Sequence, residues 1–237
     1  MFLSKLDSVQ NAMDLIAKYQ NLTDVEEISI HDAHKRVLAE DIIAYHDSPP
    51  FDKSAMDGFA VIAENSFGAS QSAPKQLKII DAIGAGDFSQ KTVGEGEAIV
   101  IATGAPIPEG ANAVIMKEYT TTDGDDLTIY SQVTPGENVS PKSEDIEKGQ
   151  KILEKNTFIR YQELGLIASA GYDSVKVFKK PRVRVIITGN ELVEPTKEEI
   201  DKAKIINSNQ FTIKAMIEDS GAVADIIHAG DTFDEVK

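Results

Sequence analysis

The stretch GEAIVIATGAPIPEGANAVIMKE, residues 96–118, sets two short apolar runs, EAIVI and NAVIM, on either side of a connection stiffened by Pro106 and Pro108. Short runs rich in β-branched residues and bounded by Gly, Pro or Asn read as strands. Moving outward, FAVIA (59–63), QLKIIDAI (76–83) and DLTIYSQV (126–133) have the same character. Their spacing, with Gly, Pro, Asn or Asp between them, predicts an antiparallel β lobe over about residues 59–133. Inside the quoted stretch, Thr103 and Gly104 fall at the end of the first strand. A hydroxyl beside a glycine at such a terminus can offer donors to a phosphate or a polar ring; the segment reads equally well as a proline-rich strand connection.

The pattern changes on both sides of the lobe. Leu6, Val9, Met13 and Ile16 recur at spacings of three and four. This predicts an amphipathic helix over about residues 8–20, with Asp7 or Ser8 as N-cap. EEISIHDAHKRVLAEDIIAYHD (26–47) reads as two extended pieces around a helical turn at His31-Asp32. PGENVSPKSEDIEKGQKILEKNT (135–157) is polar and turn-rich, and IRYQELGLIASAGYDSVKVFK (159–179) reads as helix, glycine break and strand, with Gly165 and Gly171 as helix punctuation. VRVIITGNELV (183–193) is a continuous apolar run ending in a polar turn, as in a buried parallel strand. A helix over about 208–219, capped by Gly221, and a second strand, AVADIIHAGD (222–231), follow. That order is the start of an α/β domain, whose functional groups gather at the carboxyl ends of the strands.

Composition narrows the function. A chain of 237 residues holds one to three domains, and 41% hydrophobic with 27% charged residues argues against global disorder. No apolar run approaches the roughly 20 residues that cross a bilayer, so no membrane partner is expected. The N-terminus lacks a basic n-region, and Asp7 and Asp14 interrupt any signal-peptide core. With no cysteine, disulfides and thiolate metal sites are excluded, which fits a cytoplasmic location. A formal charge of −15 disfavours duplex nucleic acid as a partner, although a divalent cation or backbone amides can still hold a small anion locally. The one compact basic cluster, Lys179 to Arg184, reads as a solvated domain junction. His31, His34, His46 and His228 lack metal-ligand spacing, and Gly84-Ala-Gly86 lacks the strand–glycine–helix context of a dinucleotide fingerprint.

The best-placed acids sit at element ends. In SPPFDKSAMDGFAVI (48–62), Asp57 precedes Gly58, which can take positive φ and turn the backbone sharply, while Pro49 and Pro50 stiffen the approach. Alone, Asp-Gly is more often a simple turn. Thr188, Asn190 and Glu191 follow one strand and Asp231 the next. Two acids at neighbouring strand ends can converge on one Mg²⁺; either alone is equally a helix cap or a solvated loop.

Taken together, PPFDKSAMDGFAV (49–61), GEAIVIATGAPIPEGANAVIMKE, PGENVSPKSEDIEKGQ (135–150), LGLIASAG (164–171), PRVRVIITGNEL (181–192) and IINSN (205–209) resemble the molybdopterin molybdenumtransferase family, called MoeA in bacteria and the E domain of gephyrin in animals. The resemblance spans nearly the whole chain. It implies an α+β and α/β multidomain fold in an elongated, homodimeric subunit. Residues 1–48 and 139–178 would form a discontinuous dimerisation domain, 49–138 an inserted β lobe, and 179–237 the start of a truncated α/β molybdopterin-binding domain. It also implies insertion of molybdate into adenylylated molybdopterin with release of AMP and assistance from Mg²⁺, with molybdopterin adenylyltransferase as upstream partner. Carried over by motif, Asp57, Thr103, Glu191 and Asp231 are catalytic, Gly58, Gly104 and Thr188 bind the cofactor, and Glu191 and Asp231 hold the metal. The cleft would lie between the lobe of one subunit and the α/β domain of the other.

The chain departs from that family pattern at Ser140, where Arg is expected, at Ser143, where Gly is usual, and at Asn190, where Asp is common. VEPTKEEIDKAK (193–204) replaces a shorter Pro-Gly loop. The family's Ser-Gly-Gly phosphate loop would lie beyond Lys237, so the stretch 1–237 alone is expected to be inactive or nearly so. A non-catalytic dimerisation scaffold of the same architecture is the alternative, and an Mg²⁺-dependent phosphoanhydride hydrolase a third reading.

Overall fold

The protein is described by a computed structural model covering residues 8–19 and 21–230. Its first elements are α1 (Val9–Lys18), β1 (Val25–Ser29), β2 (Ile42–Ile43), β3 (Lys53–Ser54) and β4 (Gly58–Val61). Then come β5 (Lys75–Ile83), β6 (Glu97–Ile101), β7 (Ala113–Met116), β8 (Thr120–Asp123), β9 (Asp126–Ile129), β10 (Val139–Ser140) and β11 (Lys151–Leu153). The last are α2 (Tyr161–Ser169), β12 (Ser174–Phe178), β13 (Arg182–Thr188), β14 (Leu192–Val193), β15 (Ile205–Ile206), α3 (Asn209–Asp219) and β16 (Val223–Ala229). The described residues divide into two compact units. One holds Ile42–Leu153 and Gly165–Tyr172; the other holds the stretches up to Asp41, Glu154–Leu164 and from Asp173 onward.

The first of these units is built on a six-stranded sheet in the order β7-β4-β6-β5-β9-β8. All four residues of β4 are buried, because the sheet is covered on both faces. Phe59 and Val61 point into a cluster with Leu77, Ile115, Leu127 and Ile129. Ala60 points the other way, toward Ile83, Ile99, Ile101 and Val114. Two-sided burial explains why EAIVI and AVIM are unbroken apolar runs rather than alternating ones. The sheet is not purely antiparallel as the spacing predicted: β5 and β6 run parallel. A parallel pair needs a crossover of about a dozen residues, which residues 84–96 supply. The register shifts between Ile79 and Asp81, so β5 carries a bulge. β8 also escaped the sequence reading, since TTTD is an exposed, Thr-rich edge strand with no apolar signal.

Below the sheet's end, residues 48–57 are laced to two other loops. β3 pairs with β10, the Ser54 N–H donates to the Ala105 carbonyl at 2.9 Å, and the Gly104 N–H donates back to the Ser54 carbonyl at 2.8 Å. The Asp52 carboxylate accepts the Lys142 N–H at 2.7 Å. Ser143 stands at φ +63°, which accounts for the glycine expected there. The Lys148 N–H and then Lys142, with a smaller part from the Ser143 hydroxyl, hold Asp47 below the usual carboxylate range. Ser140, in place of the expected Arg, donates a hydrogen bond to Glu144.

In the other unit, β1 pairs antiparallel with β12. The buried Arg36 guanidinium donates to Glu26 at 2.5 Å and to the Phe178 carbonyl at 2.9 Å. α1 starts at the predicted cap, with the Ser8 hydroxyl accepting from the Asn11 N–H at 3.1 Å; Asp7 lies outside the described residues. The division between the units falls within α2. Gly165 lies inside this helix rather than ending it, and the left-handed residue comes later, at Gly171 (φ +95°). β13 and β16 are parallel over seven residue pairs, with α3 packed on them and Gly221 (φ +85°) just past its end, as expected. β13 is not buried, however: Val183 is 38% and Ile186 45% exposed. Among the described residues its sheet has two strands and one covering helix, so one face of the apolar run stays open.

Candidate functional site

Asp57 and Thr103, far apart in sequence, meet at one end of the six-stranded sheet. The register sets Gly58 of β4 opposite both Ile101 of β6 and Met116 of β7. The residue before β4 therefore lies beside the residues that follow β6 and β7. Asp57 Oδ1 accepts the Thr103 N–H at 2.8 Å and the Thr103 hydroxyl at 2.7 Å. On the other side, Lys117 Nζ donates to Asp57 Oδ2 at 3.2 Å. Met56, Asp57, Thr103, Met116, Lys117 and Glu118 line a cavity of about 180 Å³.

Gly58 is indispensable here for a reason other than the predicted one. It is not among the glycines with positive φ. Instead, a Cβ at this position would lie 2.0 Å from the Ile115 carbonyl oxygen, so it is the close approach of β7 that requires glycine. Gly104 does take positive φ (+84°), which turns the chain away just after Thr103.

The Thr103 N–H and hydroxyl, followed by the Lys117 ammonium, hold the Asp57 carboxyl at about 2, below its ordinary 3.8. Asp57 is thus a carboxylate at neutral pH, suited to accepting hydrogen bonds and holding negative charge, not to donating a proton. Since the folded value is the lower one, the network favours the folded state above about pH 4 and loses that effect as pH falls through 2. Thr103→Val removes the hydroxyl donor and is expected to move the Asp57 titration upward toward 3.8. Carboxyl ¹³C NMR during acid titration reads this directly, and an unmoved titration would contradict the assigned network.

The second group of candidate residues follows β13, in the other unit. Gly189 (φ +138°) leaves room for the Glu191 carboxylate to fold back over it: a Cβ at 189 would lie 2.8 Å from Oε2 and 2.9 Å from Oε1. Thr188 lines a separate cavity of about 320 Å³ with Asn207, Ser208, Gln210 and apolar residues of β13–β15. Glu191 is not part of that lining, and Asp231 lies outside the described residues. Asn207 is 3% exposed. Its Oδ1 accepts the Gln210 N–H at 3.2 Å, yet its buried Nδ2 has no partner among the described residues. A buried amide donor without a partner costs about 1–3 kcal/mol, so this one is poised for an acceptor at the start of α3, where the helix dipole also favours negative charge. Among the described residues no group of three or more His, Asp or Glu is placed to hold a metal ion.

Two residues were not singled out from the sequence. Lys117 joins Asp57 only through the β4–β7 register, which a lone Lys-Glu pair after a strand does not reveal. Asn207 was visible only as part of IINSN; its burial and free donor are properties of the folded turn.

The mixed β lobe thus brings an aspartate, a threonine hydroxyl and a lysine together at one sheet end, beside a cavity of about 180 Å³. The chain belongs to the MoeA N-terminal family: residues 7–171 match the model described as MoeA N-terminal region (domain I and II). It is 40% identical over 213 residues to a molybdopterin molybdenumtransferase of Staphylococcus aureus, covering 90% of this chain and 51% of that protein. A Staphylococcus epidermidis molybdopterin molybdenumtransferase is 40% identical over 214 residues, with the same coverage. In structure it is similar to the molybdopterin biosynthesis moeA protein from Pyrococcus horikoshii OT3, with a TM-score of 0.88, 35% identity, and 98% of this chain against 62% of that one covered. The chain thus spans about half the length of the curated relatives it matches.

Proposed function

We propose that a protein carrying this chain acts in molybdenum cofactor biosynthesis, inserting molybdate into adenylylated molybdopterin with release of AMP. The observation that carries this reading is the Asp57–Thr103 pair, fixed by two hydrogen bonds of 2.7 and 2.8 Å at a cavity edge inside the region matching MoeA. Thr188, Asn207 and Ser208 supply a second set of polar groups at the end of β13.

The reaction as read from the resemblance is assisted by Mg²⁺. The donors around residues 188–191 are all oxygen, and Glu191 is an exposed carboxylate. That chemistry fits an ion that takes one or two carboxylates and keeps several waters. Glu191 would hold it, together with Asp231, which lies outside the described residues. When bound, the ion supplies Lewis-acid polarisation of a phosphoanhydride. Asp57 contributes a fixed negative charge and orients its neighbours; Thr103, whose hydroxyl donates its hydrogen bond to Asp57, keeps lone pairs on Oγ for a donor on the substrate.

The same reading includes a cytoplasmic homodimer, a lobe at 49–138, and an upstream adenylyltransferase that supplies the substrate. Val9, Met13 and Ile16 form a stripe on α1, each more than half exposed, and an unpartnered apolar stripe supports an interface there. Sedimentation velocity on the 25.7 kDa chain is expected to give a dimer; a strict monomer at micromolar concentration would remove this support. For the transferase reading itself, the test is equilibrium binding of adenylylated molybdopterin with ATP as competitor. Saturable binding that excess ATP does not displace supports it. Equal binding of both points to a general phosphoanhydride enzyme, and binding of neither to a scaffold.

A further inference from the structure

Asp57 has little acceptor capacity left for a ligand. A carboxylate offers about four lone-pair sites. Two on Oδ1 meet the Thr103 N–H and hydroxyl, and one on Oδ2 meets Lys117. The group with hydrogen-bond donors left to offer an incoming anion is the ammonium of Lys117. Its side chain is 60% exposed, and Asp57 takes up one of its three hydrogens.

Lys117 is also held at its root. Its N–H donates to the Asp57 carbonyl at 3.2 Å, and its own carbonyl accepts the Thr120 hydroxyl at 2.8 Å. It follows directly after β7, whose pairing with β4 fixes its place relative to Asp57. Backbone and carboxylate together restrict a side chain that would otherwise sweep freely, and a pre-oriented cation loses less entropy when it binds. Among the described residues, Lys117 is the one cation lining this cavity; the other charges there are those of Asp57 and Glu118. In a chain of net charge −15, an anion has no general field to draw it here and depends on that single ammonium.

We propose that Lys117 is the residue of this cavity that contacts a tetrahedral oxyanion, with Asp57 as the positioning residue that aims it. An ammonium is a compact point charge with rotatable donors, suited to oxygens of phosphate-like groups. The identity of the oxyanion rests on the transferase reading, which supplies two sources, molybdate and the phosphate of AMP. The contact itself does not depend on that reading.

The test uses the ¹⁵N-labelled 237-residue chain, titrated separately with sodium molybdate and with AMP, against sodium chloride at matched ionic strength. The Thr103 and Lys117 amides report binding. Saturable shifts with molybdate or AMP but not chloride are expected, and whichever anion saturates names the source. Lys117→Gln should weaken that binding at least tenfold, and Lys117→Arg should restore it to within about threefold. If Lys117→Gln raises the Asp57 titration yet leaves anion affinity unchanged, Lys117 merely supports Asp57 and the proposal is overturned. Absence of saturable shifts in the wild type overturns it too. Oxyanion binding that depends on Lys117 in a protein that never inserts molybdenum would uphold this contact while removing the transferase reading.

Discussion

Replacing Asp57 with asparagine is expected to lower molybdenum insertion by roughly 10²–10³-fold, the range seen when one preorganised polar group is removed from a reaction centre. An asparagine oxygen could still accept the two Thr103 bonds now made to Oδ1. Its amide nitrogen would then face Lys117 Nζ across the position of a 3.2 Å ion pair, placing donor against donor. The lysine would swing away, and the cavity would lose both its fixed anion and its aimed cation. The Asp57 side chain is half exposed and outside the hydrophobic clusters, so the variant should still fold, losing only the stabilisation its hydrogen-bond network supplies. Wild-type turnover in this variant, with circular dichroism confirming the fold, would remove Asp57 from the site.

Gly58→Ala is expected to produce a large loss of stability. The added methyl would lie 2.0 Å from the Ile115 carbonyl oxygen, 2.9 Å from its carbon and 3.0 Å from the Met116 Cα, all backbone atoms. No rotamer change relieves a clash with backbone. β4 must separate from β7, and β4 also pairs with β6. Overpacking costs about 1–3 kcal/mol where side chains can yield; here the cost should be at least about 3 kcal/mol, a large part of the roughly 5–15 kcal/mol that holds a domain together. Urea unfolding would show a much lower midpoint or no cooperative transition. A variant within about 0.5 kcal/mol of wild type would mean the two strands are further apart than described.

Gly58 also shows where the sequence could and could not be read. The Asp-Gly pair suggested a turn, because local chemistry makes glycine a turn residue. The actual constraint is a contact with a strand more than fifty residues away, which no window around position 58 contains. The strands EAIVI, AVIM and FAVI were legible because burial on both faces leaves them uniformly apolar. β8 was not, since an exposed edge has no need of apolar residues. The parallel pairing of β5 and β6 was also hidden, because strand direction depends on the path of residues 84–96 and not on either strand's composition. Ser8 and Gly221 were legible as helix ends because their roles are local. β13 was read as apolar and parallel, and it is parallel, but its exposure depends on how much of a sheet surrounds it. For the candidate site, Asp57 and Thr103 emerged as members of motifs, and the structure brings them together. Lys117 emerged only from register, the least local property of a sheet.

In the function proposed above, a protein carrying this chain couples molybdenum insertion to loss of the adenylyl group. That coupling is tested most directly by measuring AMP released and molybdenum incorporated in the same reaction, using a full-length protein carrying this chain, adenylylated molybdopterin, molybdate and Mg²⁺. One AMP is expected for each molybdenum incorporated, with both products falling together in Asp57→Asn. AMP release that proceeds equally without molybdate, or that is unchanged in Asp57→Asn, would contradict it.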